Sequence, residues 1–401
     1  MLAHRQEALA RLADFVPRAG RDYASDRNHD FGPDARDNVS VLSPWIRYRL
    51  LTEQEVVAAT LERHSLTTAE KFVQEVCWRT YWKGWLEMRP GVWREFLAAV
   101  AEDRARVDAN AGLRKAFSEA ENGHTGLDAF DAWAQELVET GYLHNHARMW
   151  FASIWIFTLK LPWTLGADFF QRHLLDADPA SNTLSWRWVA GIQTQGKTYL
   201  ARPDNVAKFT GGRFRPTALA LDAPPVAWPP PPRPTALPDV ARPSDLTGRR
   251  SLLLVHPEDL HPESLVPRSL PLASALAVKA FDGTWPFGEK ANAFVAAGID
   301  DAASRVQDHF EIEAKTLDRF APDSIVEACR AVEADTVVTP YAPVGPVADA
   351  LESLEGALRE AGLGLARLRR DWDELAWIHA TKGFFPFKKQ IPALLEGVGL
   401  R

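Results

Sequence analysis

Two groups of side chains that could take part in chemistry follow one another in the first half of the chain. Asn145, Arg148 and Met149 stand at positions i, i+3 and i+4, so a helix would place them on one face. An arginine buried on such a face needs an anionic side chain or an anionic ligand. The stretch DADPASNTLSWRW then adds two carboxylates, a carboxamide and two tryptophans. Asp178 and Asn182 could each merely cap the next helix, but the whole set indicates a functional pocket.

A competing motif lies at 191–198, where GIQTQGKT fits the phosphate-binding pattern G-x-x-x-x-G-K-[ST]. That loop requires a buried strand before it and a helix that starts at its Lys-Thr. The preceding WRWVA is not a clear strand, and Pro203 would stop a helix within two turns. We interpret the nearby cations as a basic edge that meets phosphates, or else as solvated charge. They are Lys197, Arg202, Lys208, Arg213 and Arg215.

The other polar motifs give weaker evidence for a functional site. His144 and His146 resemble a metal-ligand pair, but neighbours on a helix point apart, which favours ordinary helix-face histidines. Neither an HExxH motif nor a Cys/His cluster suggests a metal, and neither GxSxG nor GxGxxG occurs. Asp371, Asp373 and Glu374 read as a solvated charge run without chemical function.

The elements that position these residues are helical over residues 6–201. Capping boxes at 52–55 and 67–70 each open an amphipathic run. Residues 142–161 predict one long, largely apolar and buried helix. The chain holds 15 tryptophans, 11 of them before residue 190, which either fill a helical core or surround a planar ligand and relay electrons.

Residues 216–248 are rich in proline and predict a semi-rigid, extended linker rather than a packed element. Beyond it the pattern alternates between short apolar strands and helices, which indicates a smaller, parallel α/β domain. The expected organisation is therefore multidomain, with a helical domain at 1–215 and an α/β domain at 249–401. The predicted strands are 251–255, 275–280 and 336–339, and the predicted helices lie near 290–309, 323–333 and 347–361.

Composition limits the classes of protein to which the chain can belong. A chain of 401 residues without an apolar run of 18 or a signal-peptide core predicts a soluble protein of two domains. Cys77 and Cys329 are the only cysteines, which suggests a reducing, cytoplasmic setting and excludes a four-cysteine iron–sulfur cluster. Residues 251–401 carry 15 Lys and Arg against 23 Asp and Glu, so contact with a polyanion is expected from the first half.

Several stretches of the first half resemble the DNA photolyase and cryptochrome family. Three are similar to its flavin-contacting segments, and QEVCWR (74–79) is similar to its substrate-cavity helix. The Gly-x-Thr-Gly at 123–126 with Asp131 resembles the helix between them. The resemblance covers residues 6–215 and implies an all-helical FAD-binding domain. The three flavin-contacting segments are NVSVLSP (38–44), HNHARM (144–149) and LLDADPASNTLSWRW (174–188).

The resemblance implies FAD as the cofactor. Arg148 and Asp176 would pair beside the isoalloxazine ring, Asp178 would contact the flavin, and Asn182 would face its N5 atom. An amide at that position can hydrogen-bond the flavin without adding charge. Arg79 would also reach the cofactor, or else lie in solvent. The residues implied to line the phosphate and ribityl region are Tyr23, Ser40, Leu42 and Ser43.

The resemblance also implies a substrate. Glu75, Trp78 and Met149 would line a cavity that receives a flipped pyrimidine dimer from damaged DNA. Family members that act on (6-4) photoproducts carry histidine where this chain has Asn145 and Met149, so the resemblance favours cyclobutane dimers.

An electron relay is implied as well, with Trp186 proximal and Trp163 in the middle. Its distal member falls near Asn110, which cannot relay an electron, and Trp133, Trp150 or Trp155 either substitutes or belongs to the core.

The implied activity is that of a deoxyribodipyrimidine photolyase, a lyase that repairs DNA with blue light. A cryptochrome-like photoreceptor without repair activity is the alternative, since the distal tryptophan is missing and the second domain is acidic. Photolyases place their α/β antenna domain first, whereas here it comes last, as a permuted or separately acquired domain. YAPVGP (341–346) and GFFPFKKQIP (383–392) resemble family loops but assign no antenna chromophore.

Overall fold

The computed structural model describes residues 1–281 and 287–400. The first half is helical, as predicted. Its helices are α1 (Arg5–Phe15), α2 (Arg21–Asp26), α3 (Ser43–Arg47), α4 (Glu53–Arg63), α5 (Leu66–Glu87), α6 (Gly91–Ala109), α7 (Ala111–Glu121), α8 (Asp128–Thr140), α9 (Asn145–Ser153), α10 (Trp163–His173), α11 (Pro179–Val189) and α12 (Pro203–Phe209).

The longest helix of this half, α5, crosses its centre. The predicted capping box at 52–55 opens α4, where Thr52 accepts a hydrogen bond from the backbone N–H of Glu55. The box predicted at 67–70 is wrong, because α5 already begins at Leu66. Ser65 is its N-cap and accepts from the N–H of Thr68 at 3.2 Å. A serine one turn earlier thus supplies the cap.

The helix predicted over residues 142–161 is shorter than expected. His144 is extended and caps α9, so the helix begins only at Asn145. From Ile154 to Thr158 the backbone changes to a π-helix, and Lys160 adopts a left-handed φ of 55°. Apolar composition predicted burial correctly here, but it cannot register a change in helical pitch.

The second half contains a parallel sheet of five strands in the order β3-β2-β1-β4-β5, which confirms the predicted α/β class. Three strands were predicted; the partly exposed β3 and β5 were not, because their side chains lack a continuous apolar run. The strands are β1 (Ser251–Val255), β2 (Leu272–Val278), β3 (Ala314–Leu317), β4 (Thr336–Pro340) and β5 (Gly364–Leu368). The helices are α13 (Glu289–Phe310), α14 (Pro322–Ala331), α15 (Pro346–Glu360), α16 (Asp371–Trp377), α17 (Phe384–Lys388) and α18 (Ile391–Gly397).

The proline-rich residues 216–248 are extended, as predicted, but they are also packed, which corrects the expectation of a bare linker. The N–H of Val226 donates to Ala190 O at 3.0 Å, and that of Thr235 donates to Met88 O at 2.9 Å. Farther along, the N–H of Ala241 donates to the carbonyl of Arg367, next to the end of β5. We call residues 216–248 the strap, since they cross from the helical half to the sheet while bound to both.

The last three helices return to the helical half and cover α5. The indole N–H of Trp372 donates to Thr80 Oγ1 at 2.9 Å. Gly84 of α5 lies so close to Trp377 that an added Cβ would be 2.7 Å from its ring. This close approach requires glycine and fixes α16 against α5.

A search of the described residues finds no helix that is both long enough and apolar enough to cross a membrane.

Candidate functional site

A cavity of about 590 Å³ opens between α2, α5, α9 and α11. Its volume falls within the range of roughly 300–1,000 Å³ that is typical of ligand and cofactor sites. The structure brings together on its walls all but one of the residues that the sequence predicted for the site. Those that line it are Tyr23, Ser40, Leu42, Ser43, Glu75, Trp78, Arg79, Asn145, Arg148, Met149, Asp176, Asp178, Asn182 and Trp186.

Arg148 and Asp176 form an ion pair on the cavity wall. Arg148 Nη2 lies 3.1 Å from Asp176 Oδ1, and Arg79 Nη2 lies 3.8 Å from the other carboxylate oxygen. Burial alone would raise the pKa of Asp176, yet the two guanidinium groups bring that pKa below its usual value. The carboxylate therefore stays ionised inside a buried wall.

Asp178 holds the floor of the cavity. It caps α11 by accepting a hydrogen bond from the N–H of Ser181 at 2.7 Å, so the simple capping interpretation is correct. The carboxylate also lies 3.5 Å from Lys83 Nζ and 3.7 Å from Arg47 Nε. Burial raises its pKa, but these cations and Arg79 outweigh that effect and leave the pKa well below its usual value. Asp178 thus both caps α11 and balances buried positive charge.

Asn182 lies one helical turn beyond Asp178 and is held in one orientation. Its amide Nδ2 donates to the carbonyl of Ala167 at 2.8 Å. The side chain is 8% exposed, so Oδ1 is the polar atom left for the cavity. The position therefore offers a hydrogen-bond acceptor that carries no charge.

Another part of the wall is formed by residues 40–43, where the chain enters α3. Ser40, Leu42 and Ser43 line it as predicted, and the N–H of Leu42 faces Ser40 Oγ at 3.3 Å. Val41 also lines this wall, with a left-handed φ of 55° that is rare for a β-branched residue. No sequence motif indicated this strained backbone, and such strain is concentrated at ligand sites.

At the entrance of the cavity, the surroundings of Trp78 differ from expectation. Its ring stacks on Phe384 of α17, with centroids 3.6 Å apart and planes 12° apart. One face of Trp78 is therefore already occupied, because α17 folds back over α5. Glu75 is ion-paired with Arg27, and burial raises the pKa of Glu75 above its usual value. Arg27 was not predicted as a partner of Glu75, because the two residues are 48 positions apart in the sequence.

Trp163 is the one predicted residue that lies off the cavity. Trp186 packs against α10, the helix that Trp163 begins: an added Cβ on Gly166, one turn beyond Trp163, would lie 2.3 Å from the Trp186 ring. On its other side Trp163 contacts Trp228 of the strap edge to face, with centroids 5.1 Å apart. Trp228 is partly exposed, so an aromatic contact leads from Trp163 toward the surface.

The other candidates for the distal position lie elsewhere. Asn110 is exposed and caps α7. Trp133 and Trp150 stack on each other at 5.4 Å and are fully buried. Trp155 meets Trp186 edge to face at 6.3 Å.

Beneath the cavity floor, an acid from the α/β domain completes the charge balance. Glu258 follows β1 and accepts two hydrogen bonds from Arg47, at 2.6 and 2.7 Å. Its carboxylate also lies 3.7 Å from Lys83 Nζ. Sequence analysis missed Glu258, although an acid just after a buried strand at the carboxyl edge of a sheet was a usable signal.

Two further predictions are settled by the structure. Asp373 does not belong to a solvated charge run: it is 1% exposed and accepts from Arg49 Nη2 at 2.7 and 2.8 Å. The segment 191–198 follows helix α11 rather than a strand, and α12 starts only at Pro203, so it is not a phosphate-binding P-loop.

Part of the helical half is similar to known proteins. Residues 72–212 match the family model described as the FAD binding domain of DNA photolyase. The deoxyribodipyrimidine photo-lyase of Streptomyces griseus is 34% identical over 185 residues, which cover 43% of this chain and 39% of that protein. The enzyme of the same name from Thermus thermophilus is 32% identical over 200 residues, which cover 48% of this chain and 44% of that protein.

Solved structures give related matches. A bacterial class III photolyase from Agrobacterium tumefaciens has a TM-score of 0.43 and 29% identity, covering 52% of this chain and 43% of that one. A cryptochrome from Synechocystis has a TM-score of 0.39 and 26% identity, covering 52% and 43%.

Residues 72–212 of the helical half are thus similar to the FAD-binding domain of DNA photolyase. The similarity to the two photo-lyase relatives covers 43% and 48% of the chain. The chain spans about two fifths of the length of the curated relatives that it matches.

Proposed function

We propose that this protein is a photolyase-like flavoprotein that uses blue light absorbed by reduced FAD to split cyclobutane pyrimidine dimers in DNA. One observation carries the proposal: Asn145, Arg148, Asp176 and Asn182 come from separate segments and converge on one cavity. The relatives named deoxyribodipyrimidine photo-lyase support the activity.

The cavity suits FAD on its own chemistry. Arg79 Nη1 and Ser181 Oγ are buried in its wall and have no hydrogen-bond partner within the described part of the chain. Buried polar atoms of this kind are expected to be satisfied by a ligand. The hydroxyls of Ser40 and Ser43 suit a diphosphate, and Arg27 adds a cation to the cavity lining. Bound and reduced, FAD supplies a light-excited electron donor.

The chain's own residues position and insulate that cofactor. The ionised Asp176, paired with Arg148, would fix one edge of the flavin ring, and Asn182 Oδ1 would accept a hydrogen bond from a protonated ring nitrogen. Because only the reduced ring carries a proton at N5, an acceptor held there would favour the reduced cofactor. Lys83 and Arg47 hold Asp178 in place below.

Damaged DNA is the proposed partner. Glu75, Trp78, Asn145 and Met149 line the cavity and would contact the flipped dimer. Trp78 would offer only the face that Phe384 leaves open. Exposed Lys197, Arg202, Lys208 and Arg215 supply a basic edge for phosphates; Arg213 is instead paired with Asp30 at 2.9 Å.

For electron supply we propose the route Trp186, Trp163, Trp228. The strap tryptophan takes the distal place that Asn110 cannot fill, because it both contacts Trp163 and reaches the surface. A reducing, cytoplasmic setting fits this redox role, since Cys77 and Cys329 are both buried and unpaired.

A cryptochrome-like photoreceptor without repair activity is the second candidate. The net charge of −8 over residues 251–401 favours it, because an acidic domain disfavours contact with DNA.

One experiment separates the two functions. The FAD-loaded protein is reduced, mixed with an oligonucleotide that carries a thymine dimer, and illuminated with blue light. Dimer loss faster than in a dark control supports repair. A second sample is illuminated with its flavin still oxidised. Reduction of that flavin by light, without dimer loss in the first sample, supports the photoreceptor, and a colourless protein contradicts both.

A further inference from the structure

Phe385 is an exposed aromatic residue at the rim of the cavity. Its side chain is 79% exposed, the largest value among the exposed large hydrophobic residues in the described part of the chain. It also lines the cavity, to which the rest of residues 251–400 contributes no other lining residue among those described. A single exposed apolar residue is ordinary on a protein surface, but this one lies at the rim of the cavity and is held there by buried neighbours.

The ring is presented by a rigid support. Phe384 and Phe387 flank it in sequence and are 6% and 2% exposed. Phe384 stacks on Trp78 at 3.6 Å, and Phe387 contacts Tyr81 at 5.4 Å. These two buried side chains of α17 anchor it to α5. Phe385 therefore projects from a helix that cannot turn it inward.

The charge around Phe385 fits a nucleic acid. The segment KGFFPFKKQ at 382–390 holds three lysines and no acid, within a half of the chain that is acidic overall. Lys382 and Lys389 are exposed, while Lys388 is paired with Glu70 at 2.9 Å. An apolar ring between two exposed cations matches a base stack between two phosphates.

We propose that Phe385 enters the DNA duplex beside the lesion and fills the space that the extruded pyrimidine dimer leaves in the stack. The inference rests on the proposed function, because it requires a dimer to occupy the cavity. Extrusion costs stacking and pairing, and an aromatic ring in the gap recovers part of the stacking. The residue thus favours the extruded state without contacting the reacting bond.

Dark binding tests this inference separately from repair. Fluorescence anisotropy gives the Kd of the FAD-loaded protein for a thymine dimer in a labelled duplex and in the matching single strand. Phe385→Ala should weaken duplex binding about tenfold, as loss of one stacked aromatic predicts. Single-strand binding and flavin content should stay unchanged, because the single strand leaves no gap to fill. Phe385→Trp should restore the duplex affinity.

The control is Ile378→Ala, which removes a 53% exposed apolar side chain that does not line the cavity. Equal weakening of duplex and single-strand binding by Phe385→Ala would overturn the inference. So would no weakening, the same duplex loss in Ile378→Ala, or a change of oligomeric state in Phe385→Ala. Wild-type protein without affinity for the dimer in duplex DNA would overturn it as well. Selective duplex loss without repair under light would leave the inference standing and remove the proposed repair function.

Discussion

Glu258 of the α/β domain and Arg47 of the helical half form a doubly hydrogen-bonded ion pair, at 2.6 and 2.7 Å, below the floor of the cavity. The two side chains are 3% and 2% exposed and come from positions 211 residues apart in the chain. Burial raises the pKa of Glu258, but Arg47 and Lys83 outweigh this effect and keep the pKa below its usual value. The second domain therefore supplies part of the charge balance of the site.

Removal of this acid should destabilise the protein. Glu258→Ala leaves Arg47 buried without its carboxylate, and breaking a buried pair in this way costs about 3–5 kcal/mol. Urea unfolding measures the loss, and flavin content should fall with it. Glu355→Ala is the control, since its bond to Arg367 is half exposed and should contribute about 1 kcal/mol or less. Equal losses in the two variants would contradict the structural role of Glu258.

Arg148→Ala should abolish stable flavin binding. The substitution leaves the buried Asp176 with only the more distant Arg79 as a charge partner. Absorbance of the purified protein at flavin and protein wavelengths gives the occupancy. Arg104→Ala breaks another ion pair, between the half-exposed Arg104 and the buried Asp168, and should leave the yellow colour intact. Full occupancy in Arg148→Ala would mean that the site is wrongly assigned.

Trp228→Phe should slow the reduction of bound flavin by blue light. The substitution keeps an aromatic ring against Trp163 but removes the more easily oxidised indole at the surface. Flavin absorbance during illumination with an external reductant follows the rate. Trp150→Phe should have no effect, because Trp150 stacks on Trp133 instead. Slowing in Trp150→Phe alone would place the distal donor in the core.

Stability should depend on pH through Glu87. This residue of α5 accepts a hydrogen bond from Tyr341 Oη at 2.6 Å, and burial raises its pKa to about 7. A carboxyl whose pKa is raised on folding stabilises the protein below its unfolded pKa. That contribution is lost as the pH rises through about 7.

The variant Glu87→Gln stays neutral at every pH. It should match wild type at pH 4, below the unfolded pKa, and be more stable at pH 8, by about 3 kcal/mol at most. Urea midpoints at both pH values measure the difference. Identical pH profiles for the two proteins would show that Glu87 stays ionised when folded.

Sequence analysis predicted the parts of this structure whose signals are local. The face shared by Asn145 and Arg148 follows from helical spacing, and the strands at 251–255 and 336–339 follow from apolar runs. Contacts between distant segments escaped it. Asp373 looked like surface charge because its partner Arg49 lies 324 residues away.

The contact of Trp228 with Trp163 was not predicted, for a related reason. Prolines around it indicated an extended chain, which is correct, but composition does not show what an extended chain lies against. The stacking of Phe384 on Trp78 likewise depends on the return of the last helices.

The packing of the last three helices against α5 determines how the chain can be divided. A protein ending after Leu368 would keep every strand of the sheet but lose the indole bound to Thr80 and the ring packed on Gly84. Trp78 would lose its stacking partner as well. The helical half expressed by itself should therefore be a poor flavin binder, whereas supplying residues 369–400 as a separate peptide should improve it. The two halves of the sequence are distinct folds, but they are a single unit of assembly.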